Sequence, residues 1–351
     1  MSSEDNRRIR TAVIGFGTSG HYFHAPFIER SPEFELAAVV TSSTDRSAQV
    51  RNEYPNTEII AGADELFARA REFDLVIVGS PPETHATLAT ETLASGLDVI
   101  VDKPFTTTSD EGRDLIAAAR DAGRRLTVFQ NRRRDGDFLT LKSLLQSGRL
   151  TGVSRFESRF EVYNPAPRHS WKTATRMTNG GGVLFDIGSH LIDQAIELFG
   201  PLEVSAAPYI ELASRRKGAV APDDAFVALR HATGTISHLW MNTLAAQVGP
   251  RYRVLTPTSG YTSWGLDPQE AQLKSGKRPG DVGFAEIAPQ NYGVLGTDAV
   301  SEPVPTLAGD YAGYYEAVAD WILRDGPAPV DPEDAVAVIA LIERLHTVAV
   351  P

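Results

Sequence analysis

A chain of 351 residues is longer than one hydrophobic core usually grows, ~250–300 residues, so two domains are expected. With 42% hydrophobic and 23% charged residues, no cysteine and a formal net charge of -11, it excludes disulfide-built folds, thiolate metal sites and a Cys nucleophile, and argues against a nucleic-acid partner. No apolar run approaches the ~18 residues of a membrane span, and the polar start Met1–Arg10 lacks the apolar stretch of a secretory signal, so a cytoplasmic enzyme is the expectation.

In chain order, the first third alternates short apolar runs with helical patterns, the mark of βαβ units around a parallel sheet. Thr11–Ile14 reads as the first strand, followed by a glycine-rich turn and an amphipathic stretch through Ile28. Leu36–Val40 is the second strand and Ile59-Ile60 a short third, before a helix over Asp64–Arg71. Leu75–Val78 is the fourth and ends at Gly79-Ser80-Pro81-Pro82. Thr84–Ser95 has helical spacing, with Gly96 placed to stop it in a left-handed conformation. Val99–Val101 is the fifth strand, ending at Asp102-Lys103-Pro104; a helix over Asp110–Ala122 and a sixth strand, Leu126–Phe129, follow.

From about Ser154 the pattern changes to alternation, as in Arg155–Val162 and Thr235–Met241, which suits an antiparallel sheet with one solvated or partner-covered face. Arg251–Leu255 and Tyr261–Trp264 read as a hairpin across Ser259-Gly260. Helical spacing runs over Leu184–Leu198, Tyr311–Leu323 and Pro332–His346, while Asp267–Ala308, rich in Gly and Pro, reads as irregular. The expected fold class is α/β. A Rossmann domain with a doubly wound parallel sheet covers 1–130, and an α+β domain with a mainly antiparallel sheet, for substrate, covers 131–351.

Gly15-Phe16-Gly17-Thr18-Ser19-Gly20 fits the G-x-G-x-x-G spacing between a strand and a helix. Gly15 permits the tight turn, Gly17 lets the backbone approach a pyrophosphate, and Gly20 lets the helix lie close to the sheet, whose following helix N-terminus offers free N–H groups. In that context a dinucleotide is expected rather than a turn without a ligand. An NAD site normally carries an acid at the tip of the second strand. Here that tip reads Thr41-Ser42-Ser43-Thr44-Asp45-Arg46, and the hydroxyls of Thr41, Ser42 and Ser43 with the Arg46 guanidinium favour a 2′-phosphate and so NADP, while Asp45 keeps NAD open. Ser80, Pro81 and His85 after the fourth strand, and Asp102 and Lys103 after the fifth, complete the cofactor-binding candidates; capping or packing is the alternative for His85.

Lys103 lies just past the end of a parallel strand, where ligands bind in open α/β sheets, and Pro104 pins the loop that aims it. Asp186 and His190, which follow Gly180-Gly181-Gly182, are four residues apart on a helix and share a face, with Asp193 three further along. A carboxylate one turn from an imidazole orients the ring and stabilises its charged form, which suits a general acid–base. Lys103, Asp186 and His190 are therefore the catalytic candidates. Asn131, Arg132, Trp171 and His190 are the substrate candidates, with Arg168 and His169 nearby, because a polyol needs many hydrogen-bonding partners; an ion pair between domains is the alternative for Arg132. His21 and His24 have metal-ligand spacing without a further ligand cluster, so they read as packing residues and no metal is expected. Arg132-Arg133-Arg134 reads as solvated or paired with Asp135 and Asp137, and Tyr311, Tyr314 and Tyr315 as core or interface.

The glycine turn followed by His21-Tyr22-Phe23-His24-Ala25-Pro26, the Asp102-Lys103-Pro104 tripeptide and the Asp186/His190 helix together resemble the Gfo/Idh/MocA oxidoreductases, over nearly the whole chain. Asn131-Arg132-Arg133, Asp135–Thr140 and Gly188–Gln194 are similar to a subgroup containing NADP-dependent scyllo-inositol dehydrogenases. The chain departs from the family's pattern at Asp102, where Glu is commoner, and at Arg134, where relatives often have Trp. The resemblance implies Lys103 and His190 as catalytic residues with Asp186 in support, and a large open sheet used to form a homodimer or homotetramer. It also implies hydride transfer between NADP (or NAD) and a hydroxyl-bearing carbon of a cyclic polyol or sugar, with no nucleic-acid or membrane partner. Two other readings stand beside it: an NAD-dependent glycosidase of the same family, and a non-catalytic dinucleotide sensor, which has no need of Lys103, Asp186 and His190.

Overall fold

The computed structural model describes residues 7–165 and 180–349. The chain forms two compact units, one built on residues up to Asn131 with Glu270–Phe284 and Tyr311–Ala337, the other on Arg132–Gln269, Ala285–Asp310 and the residues from Val338. Among the described residues no helix is long and apolar enough to cross a membrane.

In the first unit, β1 (Ile9–Ile14), β2 (Phe34–Val40), β3 (Glu58–Ile60), β4 (Leu75–Val78), β5 (Asp98–Asp102) and β6 (Leu126–Phe129) form one parallel sheet in the order β3-β2-β1-β4-β5-β6. β4 is buried along its whole length, which is why its sequence is an unbroken apolar run rather than an alternation. Strand order reverses between β1 and β4, and there the carboxyl ends of the strands open a crevice for a ligand. Tyr311, Tyr314 and Tyr315, on the helix Tyr311–Arg324, are each 1% exposed and belong to this unit's core; Tyr314 donates to the Val128 carbonyl at 3.1 Å.

In the second unit, β7 (Arg155–Glu161), β8 (Tyr209–Ala213), β9 (Asp224–Arg230), β10 (Ile236–Asn242), β11 (Tyr252–Leu255), β12 (Gly260–Ser263), β13 (Gly293–Gly296) and β14 (Ser301–Val304) form one sheet. Its order is β14-β13-β12-β11-β7-β10-β9-β8, antiparallel throughout except where β10 runs parallel to β7. This is the architecture expected from the sequence, a parallel Rossmann sheet followed by a mainly antiparallel one. The stretch expected to be irregular, Asp267–Ala308, instead holds the helix Gln269–Lys274 and the strands β13 and β14. Gly293 and Gly296 bound β13, and Pro303 sits on the edge strand β14, where a missing N–H costs no ladder bond. On β9 and β10 one face is buried against the helix Ser189–Phe199 and the segment Val338–Leu345, while Phe226, His238 and Trp240 lie half-buried on the other.

A buried charge network ties this helix to the sheet. The Arg251 guanidinium donates to Ser158 Oγ (2.8 Å) and Gln194 Oε1 (3.0 Å) and pairs with Asp137 at 3.2 Å, and Gln194 Nε2 donates to the Arg132 carbonyl at 2.8 Å. Asp267, 5% exposed, accepts from the backbone of Gly136 (2.8 Å) and Gln269 (2.9 Å) and from the Gln269 amide (3.0 Å). Burial, aided by the nearby Asp137 carboxylate, pushes its pKa up to about 6. A carboxyl whose folded pKa exceeds its unfolded one holds its proton more tightly in the native state, so native stability falls as pH rises between about 4 and 6. Asp267→Asn, which cannot titrate, is expected to lose ground against the wild type on acidification: the gap in unfolding free energy widens by about 1.4 kcal/mol from pH 7.5 to pH 5. Urea denaturation at the two pH values reads it, and a gap independent of pH removes Asp267 as the titrating group.

Candidate active site

Gly15 leaves β1 with φ +93°, in the left-handed region that favours glycine, and donates its N–H to the Val40 carbonyl at 3.0 Å. A Cβ on Gly15 would stand 2.8 Å from the Gly79 carbonyl oxygen, and one on Gly20 would overlap the Gly15 carbonyl oxygen. A Cβ on Gly17, by contrast, would meet the Arg46 guanidinium at an easy 3.7 Å. The backbone is thus tight where it packs on itself and open at Gly17, where Arg46 brings a positive charge. That cradle fits a pyrophosphate. Phe16 turns inward, 1% exposed and edge-on to Tyr54, so its contribution to the crevice is limited to backbone, while Thr18 is exposed. Ser19–His24 form a π-helical turn in which the Ala25 N–H reaches the Gly20 carbonyl, leading into the helix Ala25–Arg30.

At the tip of β2, Thr41 Oγ1 accepts from the Ser43 N–H (3.3 Å), and Ser43 Oγ caps the helix Thr44–Glu53 by accepting from the Arg46 N–H (3.4 Å). Ser42, Asp45 and Arg46 are exposed. A recess of about 390 Å³ opens here, lined by Thr41, Ser42, Thr44, Ser47, Arg51, Ile59 and Ala61. Sequence reasoning missed Thr44, Ser47 and Arg51, although their i, i+3, i+7 spacing places them on one helix face.

Asp102 and Lys103 form the tip of β5. The Asp102 carboxylate accepts from Ser19 Oγ on the glycine turn and, through Oδ1, from the Lys103 N–H at 2.7 Å; His24 Nε2 lies 3.8 Å from Oδ2. Burial alone would raise the Asp102 pKa, but the His24 imidazole facing it, the Ser19 hydroxyl and the Lys103 charge override it and hold the group at about 2. Lys103 itself is half-buried. On its other side, His85, 1% exposed, places Nδ1 2.9 Å from the Pro104 carbonyl and Nε2 2.9 Å from the Ser80 carbonyl. The His85 ring therefore ties the end of β4 to the lysine loop, and the Ser80 hydroxyl pairs with Thr84 Oγ1 at 2.6 Å beside the exposed Pro81. His21 contacts the Glu53 carboxylate at 2.9 Å.

Asn131, 5% exposed, closes the first unit's run beyond β6. Asp186 and His190 lie in the second unit, Asp186 half-buried in the π-helical turn Leu184–Gly188 and His190, 4% exposed, in the first turn of the helix Ser189–Phe199. A Cβ on Gly188 would press within 2.9 Å of Met241 Sδ, so glycine lets this turn lie flat on β10. The arginine run is largely withdrawn from solvent, and its expected pairing with Asp135 is made by Arg132. It forms a 3₁₀ turn whose side chains fan out: Arg132 to Asp135 (3.2 Å) and over the Phe160 ring, Arg133 to Asp193 (2.7 Å) and Glu197 (3.2 Å), and Arg134 to Asp310 (2.9 Å). Asp193 is thereby committed to Arg133, which anchors the helix that carries His190. Trp171, Arg168 and His169 lie outside the described residues.

Residues 9–130 match the oxidoreductase family's NAD-binding Rossmann fold, and 142–347 its C-terminal alpha/beta domain. The chain is 39% identical to the uncharacterized oxidoreductase YdgJ of Escherichia coli K12, across 95% of this chain and 94% of that one. It is 31% identical to the scyllo-inositol 2-dehydrogenase (NADP(+)) of Bacillus subtilis, across 95% and 92%. The structure of the Bacillus subtilis oxidoreductase yvaA superposes with a TM-score of 0.90 at 30% identity, covering 99% of this chain and 97% of that one. A glycine cradle on a Rossmann sheet followed by the family's second domain leaves one conclusion: the chain belongs to the Gfo/Idh/MocA family of NAD(P)-dependent oxidoreductases.

Proposed function

We propose that the chain is an NADP-preferring dehydrogenase or reductase for a CH–OH group of a cyclic polyol or sugar, inositol-like in kind. The observation that carries this reading is Lys103, half-buried at the carboxyl end of β5 beside the switch point, its backbone N–H held by an ionised Asp102. A lysine fixed there serves as a hydrogen-bond donor to the oxygen of a reacting carbinol and stabilises negative charge that develops on it. His190 acts as acid–base, taking the hydroxyl proton in the oxidative direction, and Asp186 supports it. When bound, the nicotinamide supplies the hydride chemistry. The named activity of the Bacillus subtilis relative supports both the polyol and the NADP preference. The half-buried aromatic face of β9 and β10, with Arg159 stacked 3.9 Å over the Trp240 ring, is the surface for a homodimer or homotetramer.

Lys103→Ala is expected to lower kcat by about 10²–10⁴-fold while NADPH binding, followed by its fluorescence, stays within a few-fold. Full turnover in that variant removes the assignment. A screen of inositols, sugars and their ketones against NAD and NADP in parallel tests substrate class and cofactor together; dominance of NAD rejects the preference for NADP.

The preference itself rests on Arg46 beside Gly17 and on Arg51 in the recess with Thr41 and Ser42. Replacing either arginine by Ala is expected to raise KM for NADP about 10-fold or more, the loss of one charge-assisted bond to a phosphate, and to leave KM for NAD nearly unchanged. Equal effects on both cofactors place the 2′-phosphate elsewhere.

A further inference from the structure

We propose that His24 is a positioning residue for Lys103, acting through the Asp102 carboxylate; the proposal rests on Lys103 being the donor to the reacting oxygen. His24 is fully buried, with its ring 4.6 Å from that of Phe129. Its Nδ1 lies 2.6 Å from Tyr315 Oη, which in turn donates to the Phe23 carbonyl at 3.0 Å. The other nitrogen, Nε2, has no hydrogen-bond partner among the described residues and faces Asp102 Oδ2 at 3.8 Å. The Gly79 α-carbon at the end of β4 lies against both side chains: a Cβ there would stand 3.4 Å from Ser19 Oγ and 3.7 Å from His24 Nε2, in ordinary contact with each.

Ring packing alone does not account for this arrangement. A slot walled by Phe129 and Tyr315 is served at least as well by Phe, and a buried imidazole costs desolvation unless something polar answers it. The carboxylate answers it. Asp102 then links three segments: Ser19 of the glycine turn, His24 of the π-helical turn, and the Lys103 N–H. His85 fixes the other side of the lysine through the Pro104 carbonyl. Removing the His24 nitrogen leaves a buried carboxylate on one hydroxyl and one amide, and the lysine loop loses the brace that joins it to the cofactor cradle. The charged and titratable groups around Asp102 are His24 and Lys103, with Tyr315 and Tyr314 behind the ring.

The chain has six lysines, so reductive methylation with ¹³C-formaldehyde gives a resolvable set of dimethyl-lysine NMR signals, with the Lys103 signal identified by its loss in Lys103→Arg. In His24→Phe that signal and its titration are expected to shift. In His24→Gln, whose amide keeps a polar nitrogen facing the carboxylate, they return toward the wild type. On the best substrate of the screen, kcat falls more than about 10-fold in His24→Phe and clearly less in His24→Gln. The acid limb of the kcat profile also moves to higher pH in the Phe variant, because Asp102 loses a group that favours its charged form. An unchanged Lys103 signal, or His24→Phe outperforming His24→Gln, overturns the proposal in favour of packing. Should His24→Phe fail to fold, Tyr315→Phe removes the Nδ1 partner and keeps both rings; it is expected to move the Lys103 signal in the same direction by less, and no movement again overturns the proposal. Full turnover by Lys103→Ala defeats the reading of the lysine instead, so the two failures are distinguishable.

Discussion

A carboxylate largely removed from water must find cations or donors on both oxygens, and Asp102 meets that constraint by gathering the glycine turn, the π-helical turn and the lysine loop around itself. The shortness of the side chain matters. Asp reaches the N–H of the very next residue at 2.7 Å, the local bonding that short polar side chains favour, whereas the longer Glu commoner in the family would carry its carboxylate past that N–H. Departure from the family's tripeptide therefore has a local consequence: the acid holds the backbone of its own lysine. Around that point the glycines serve approach rather than flexibility, because Gly15 and Gly79 sit too close for a Cβ on Gly15 and bring β1 and β4 to the same crevice.

What the sequence showed plainly was whatever is set by near neighbours. Strands such as β2, β4 and β6 appear as apolar runs because both faces of the sheet are covered there, and the glycine turn appears because the positive φ of Gly15 and the close approaches at Gly15 and Gly20 admit little else. Hidden were features decided by distant partners. Tyr315 reaches His24 across 291 positions, so nothing near His24 hinted that its ring is answered on both sides. The strands β13 and β14 lie in a segment whose glycines and proline read as breakers, yet they are legitimate at the end and edge of a sheet. The arginine run misled for a third reason. Consecutive residues suggested a common fate, whereas a 3₁₀ turn points successive side chains in different directions, each to its own acid.

The helix that carries His190 shows how the second unit fixes a candidate acid–base through that residue's neighbours. Asp193 receives both arms of Arg133, and Gln194 is held by Arg251, Tyr252 and the Arg132 carbonyl. Such buried pairs add little net stability, since desolvation consumes most of the attraction, but their geometry is demanding. A helix held by directional bonds at two consecutive residues cannot rotate without breaking several of them, which sets the direction of the His190 side chain within its unit.

Asp102 and Asp267 make the governing rule explicit, because hydrogen-bond number alone does not separate them. Asp267 accepts from the Gly136 N–H, the Gln269 N–H and the Gln269 amide, and yet it is pushed up to about 6. Asp102, with fewer donors, is held near 2. The difference is charge. Neutral donors around Asp267 are outweighed by burial and by the Asp137 carboxylate, whose own cation, Arg251, lies 3.2 Å from Asp137. Asp102 instead faces His24 and Lys103. Charged neighbours added to donors keep a carboxylate that is largely removed from water ionised, and at the tip of β5 that acid is the one that holds the lysine.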